Sequence, residues 1–81
     1  MTKPAVGTVV HFYDPQRIFN GVNGGPFAAM VTQVFTGKDG EVTYANLYVM
    51  PPFAPAYDAG SVAEKGSALD NGSGRHFVQL D

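Results

Sequence analysis

Few residues in this chain could do chemistry, and their spacing narrows that chemistry further. The chain has no cysteine, which removes disulfides, thiolate metal sites, iron–sulfur clusters and thiol nucleophiles together. Its two histidines, His11 and His76, stand at opposite ends of the sequence, and its seven carboxylates are scattered. No HxH or HExxH spacing supplies a metal set, and no acid, base and nucleophile fall into a recognisable pattern. His11 and His76 approach one another if the first and last strands pair, but two ligands do not make a metal site. No catalytic residue, metal or cofactor is expected, and the chain reads as a binding protein rather than an enzyme.

Two features point to a ligand. The stretch Asn20-Gly21-Val22-Asn23-Gly24-Gly25 could turn successive backbone N–H groups toward an anion, with Arg17 close by to neutralise phosphate charge. It is no Walker loop, since GK[ST] is missing, and no helical pattern follows as a dinucleotide fingerprint requires. The same glycines also suit a plain turn-rich connection. The second feature is a surplus of aromatics: Tyr13, Tyr44, Tyr48, Phe53 and Tyr57 exceed what a small interior holds. Some should face outward as a binding or subunit surface, or else cover a thin core. The expected ligand-binding set is therefore Arg17, Asn20, Asn23, Gly24 and Gly25, with Tyr44 or Tyr48 stacking on a base. Five cations against seven anions, a formal charge of −2, exclude a long nucleic acid as partner. A small, anionic, nucleotide-like ligand remains.

The elements that must position these residues read as strands and turns. Val6–Tyr13 alternates with apolar bulk on both faces, as in a small barrel, and Asp14-Pro15 ends it. Gln16–Pro26 is a long loop with two turn signals, whose Ile18, Phe19 and Val22 should fold back over the barrel. Phe27–Thr36 and Glu41–Met50 form a hairpin about Gly37-Lys38-Asp39-Gly40. In its second arm Ala45, Leu47 and Val49 suit the interior, while Tyr44, Asn46, Tyr48 and Met50 share the other face. Pro51-Pro52 stops that arm. Beyond it Pro55, Tyr57 and Asp58–Gly60 suggest turns, Ser61–Lys65 a short strand or single helical turn, and Leu69–Gly74 another turn. Arg75–Leu80 is the last strand. No window carries a helical stripe. The expected fold is all-β, a small SH3-like, or alternatively OB-like, barrel of about five strands with a long first loop.

Eighty-one residues make one domain, spanning 1–81, with a thin core. Ten glycines and six prolines favour short segments over long helices. No export signal follows Met1-Thr2-Lys3-Pro4, and the uncharged run Ile18–Gly37 is too interrupted to span a bilayer. No membrane association is expected.

Three segments, PAVGTVVHFYDP (residues 4–15), GPFAAMVTQVF (25–35) and ANLYVMPP (45–52), occur in this order. Together they resemble a group of small proteins encoded by bacteriophages and prophages, whose pattern runs VGxxVHxY, PxAAxVTxV, NLxVF. The resemblance covers residues 4–52; the last third departs from it, with no Trp where members carry one. It implies a phage origin and a small β fold; with no export signal or spanning run read in the sequence, action in the host cytoplasm is expected. By analogy it also implies one of two roles: counter-defence, sequestering a nucleotide-like host immune signal, or virion architecture, as a head decoration or connector. An inhibitor of a host protein is a third expectation. A core this small also leads us to expect a homo-oligomer.

Overall fold

A computed structural model describes residues 4–19, 21–36, 42–65 and 74–80. The strands are β1 (Val9–Tyr13), β2 (Ile18–Phe19), β3 (Val22–Asn23), β4 (Phe27–Thr36), β5 (Val42–Met50), β6 (Tyr57–Val62) and β7 (His76–Gln79). Five of them form one antiparallel sheet in the order β6-β5-β4-β1-β7, and β2 with β3 forms a separate small hairpin. Three long neighbours in sequence lie side by side, and the last strand returns to the far side of the first. That connectivity is the SH3-like expectation; an OB-like chain would place its last strand between the third and fourth. The β2–β3 hairpin occupies the long first loop; of the three apolar residues expected to fold back, Phe19 and Val22 do, while Ile18 points outward and is 64% exposed.

One face of the sheet makes the core. Val10 and Phe12 of β1, Phe27, Ala29 and Val31 of β4, Ala45, Leu47 and Val49 of β5, Ala59 and Val62 of β6, and Phe77 of β7 are buried together. The period-two alternation explains most of this set, since every second residue of a strand faces the same way. Phe19, Val22, Val34 and Tyr57 pack against its margin. No polar or charged residue among those described is buried.

The sheet has three register shifts among the described residues; one falls between Phe35–Tyr44 and Thr36–Val42, and the other two lie beside Asn46. On β4 the pairing steps from Val31–Leu47 to Gln33–Asn46, so Thr32 is the extra residue. On β6 it steps from Ala59–Leu47 to Val62–Ala45, so Gly60 and Ser61 oppose Asn46 alone. Bulges leave ladder groups unpaired, and Asn46 takes them up. Its Oδ1 accepts from the Ser61 N–H at 2.9 Å, its Nδ2 donates to Gln33 Oε1 at 3.2 Å, and its carbonyl accepts from the Thr32 hydroxyl at 3.1 Å.

The sheet is not a closed barrel. Its ends, β6 and β7, are tied in backbone where the chain leaving β6 meets Phe77. There the Phe77 N–H donates to the Ala63 carbonyl and the Lys65 N–H to the Phe77 carbonyl, framing a parallel bridge at Glu64. Gln79 Nε2 donates to Glu64 Oε2 across the same seam at 2.8 Å.

The structure differs from the sequence reading at Tyr57–Gly60, read as turns and found in β6. The bulge at Gly60-Ser61 breaks the alternation that marks a strand. Ser61–Lys65 is neither a separate strand nor a helical turn: it completes β6 and supplies the seam. The hairpin turn Gly37–Gly40 and most of the Leu69–Gly74 turn lie outside the described residues.

Candidate functional site

The end of β1 begins the site. Asp14 follows the buried Phe12 and exposed-side Tyr13, and its carboxylate Oδ1 accepts from the Gln16 N–H at 3.0 Å. Its carbonyl accepts from the Arg17 N–H at 3.1 Å. These two bonds make the tight turn that Asp before Pro favours. Gly24 then locks the loop's return: its N–H donates to the Arg17 carbonyl at 2.9 Å and its carbonyl accepts from Asp14 N–H at 3.1 Å. Gly25 follows at φ +102°, where an added Cβ would stand 2.7 Å from the Phe12 carbonyl oxygen. Only glycine fits so close to β1.

Across this turn stands Arg75, at the entry to β7. Its Nη2 donates to the Gly60 carbonyl of the β6 bulge at 3.0 Å. Its guanidinium lies 5.8 Å from the Phe12 ring centroid, and its Nε is 3.9 Å from Asp14 Oδ2. Asp14, Pro15, Gln16, Arg17 and Arg75 thus line an open cleft of about 240 Å³. The sequence holds only two arginines, and both are here. Among the described lining residues one carboxylate stands against them, so this lining carries an excess of positive charge on a chain whose net charge is −2.

Tyr57 of β6 lies beneath. The Arg17 guanidinium sits 4.7 Å from its ring centroid, and the ring also packs against Phe19 at 5.9 Å. Its hydroxyl is buried and has no hydrogen-bond partner among the described residues. Burial pushes the phenol pKa up; Arg17 pulls it back, Asp14 adds to the rise and Arg75 opposes it. Three residues of the cleft are therefore within electrostatic reach of this one hydroxyl.

The expected ligand set divides. Arg17 lines the cleft, and Asn23, exposed in β3, pairs with Ile18 just beyond it. Gly24 and Gly25 shape the loop, and the Gly24 N–H serves Arg17's own carbonyl. Asn20 lies outside the described residues. Tyr48 is exposed on the opposite face of the sheet, with its Cα partner Asp58 on β6 and Met30 on β4. Tyr44 pairs with Phe35 farther along β5. The structure brings neither tyrosine to Arg17; Tyr57 stands there instead. Asp14, Arg75 and Tyr57 were not anticipated. The signal for Arg75 was available, as the second of two arginines and at the start of a strand that pairs with β1.

His11 and His76 do lie on adjacent strands, in the neighbouring pairs His11–Val78 and Tyr13–His76. His76 stacks on Tyr13 with ring centroids 4.8 Å apart, and its Nδ1 is 2.9 Å from the Gly74 carbonyl. Among the described residues no three metal-ligating side chains come together. In comparisons with protein-family models, curated proteins and solved structures, nothing matches this chain.

Proposed function

We propose that this protein is a non-enzymatic binding protein that takes the anionic end of a small, nucleotide-like ligand in the Asp14–Arg17/Arg75 cleft. The observation that carries this reading is the convergence of the chain's two arginines, from far-apart points in the sequence, on one open cleft. Guanidinium groups present forked donors that match phosphate and carboxylate oxygens. The cleft's volume sets the scale: about 240 Å³ is below the roughly 300–1,000 Å³ that encloses a whole small molecule. It suits a phosphate group, with the rest of the ligand reaching beyond this chain onto a second copy. The resemblance over residues 4–52 supplies the setting, a phage protein sequestering a nucleotide-like host signal in the host cytoplasm. Thermal-shift measurements against inorganic phosphate, mononucleotides, cyclic di- and trinucleotides and cyclic ADP-ribose isomers test it. Stabilisation by at least one nucleotide, lost in Arg17→Gln, is the expected outcome; no stabilisation by any of them at millimolar concentration would overturn the reading.

A separate observation favours the structural alternative. The outer sheet face carries Val9, Met30, Tyr48 and Met50, all substantially exposed, and Phe53 beyond β5 is 95% exposed at φ 54°. An aromatic held out on a proline-flanked turn, next to an apolar face, is the kind of surface that packs on other chains of a particle. Mass spectrometry of purified virions separates the two readings: stoichiometric presence supports the structural role.

A further inference from the structure

The Tyr57 hydroxyl is the most conspicuous polar group without a use. A buried donor lacking a partner is costly, and such groups in a native fold call for a cause. Tyr57 is held in place by strong constraints: its Cα pairs with Val49 in the ladder, and its ring packs on Phe19. The hydroxyl therefore cannot simply turn to water. Arg17, an exposed side chain, rests on the ring face beside it, and a cation–π contact at an exposed site is weak enough for an anion to displace. Arg75, by contrast, is anchored on the Gly60 carbonyl.

We propose that the Tyr57 hydroxyl is a ligand-binding donor, completing with Arg17 and Arg75 a three-donor cradle for a phosphate group. This inference rests on the cleft reading above and adds its uncharged member. An incoming phosphate draws the Arg17 guanidinium off the ring toward itself, opening the hydroxyl to one of its oxygens. The phosphate is acceptor-rich and tetrahedral, so three donors from different directions can each meet a separate oxygen. The phenol gains an acceptor that none of the described residues supplies, and the phosphate loses less on leaving water. Asp14 sets a limit, since its carboxylate beside Arg75 disfavours a second anionic group in the cleft.

Calorimetric titration with inorganic phosphate and with adenosine monophosphate, on wild type and on Tyr57→Phe, tests this. Both probes should bind wild type, and the loss of one hydrogen bond to a charged group should weaken each by about tenfold or more in the variant. The variant, meanwhile, should melt no lower than wild type without ligand. Phosphate should also move the Tyr57 Cζ resonance of the wild-type protein, assigned by its absence from the variant. Equal binding by wild type and variant, with Tyr57 Cζ unmoved, overturns the hydroxyl's role and leaves the cleft standing. Absence of binding to wild type overturns the cleft itself. Binding of adenosine monophosphate but not phosphate would show that contacts outside the cradle dominate, and would also overturn this inference.

Discussion

A phenol with a buried hydroxyl and a glycine against a carbonyl are the residues whose chemistry the fold most constrains. Burial raises the Tyr57 pKa above its ordinary value near 10. Above that pH the unfolded chain gives up the phenolic proton while the folded chain keeps it. The folded state then binds more protons, so stability must fall as pH rises through this window and is fully present below it. Urea midpoints measured between pH 8 and pH 11 should decline more steeply for wild type than for Tyr57→Phe; parallel curves would remove the burial effect. Gly25→Ala acts differently. Its φ of +102° strains any side chain, and its Cβ would press on the Phe12 carbonyl at 2.7 Å. A loss of about 1–3 kcal/mol is expected, read as a lower urea midpoint at unchanged slope.

Among the elements, β5 organises the rest, because its Asn46 serves a bulge on each side. Asn46→Ala removes the acceptor of the exposed Ser61 N–H and should cost about 0.5–1.5 kcal/mol by chemical denaturation. It should also displace the Gly60 carbonyl on which Arg75 rests, weakening phosphate binding though Asn46 lies outside the cleft. How legible the elements were follows from their regularity. On β5 the smaller set Ala45, Leu47 and Val49 could be read as interior and is buried, whereas β1 and β4 carry apolar residues on both faces, so alternation alone did not choose their buried sets. β6 could not be read as a strand: Gly60-Ser61 interrupts its period at the point where the sheet bends. Asn46 looked like one more outward polar residue, since a bulge partner carries no signal in its own strand. The site was half legible for the same reason. Arg17 was visible beside its Asn/Gly loop, whereas Arg75 and Tyr57 meet it only through pairings of β1 with β7 and of β5 with β6. Tyr44 and Tyr48 were drawn in by residue type, and the pleat sends them to the other face.

At the scale of the whole molecule, one small apolar cluster must hold five strands. Leu47 lies fully buried on β5, between β6 and β4, and Leu47→Ala should cost about 2–5 kcal/mol, enough to leave so small a domain largely unfolded on heating. A melting temperature lowered by only a degree or two would show that the cluster adapts to the cavity. The seam between β6 and β7 is thinner: among the described residues two backbone hydrogen bonds about Phe77 cross it, with side-chain bonds from Gln79 and Arg75. Arg75 spans that seam, rooted before β7 and bonded to Gly60 of β6. A phosphate gripping this guanidinium would therefore act as a rivet on the two sheet margins. By reciprocity, whatever ligation adds to seam closure, closure must add to ligation. Deuterium uptake at the Lys65 and Phe77 amides should slow when phosphate is present, although neither residue lines the cleft. On that proposal the open-edged sheet would serve as a latch, fastened across its margins by the anion it holds.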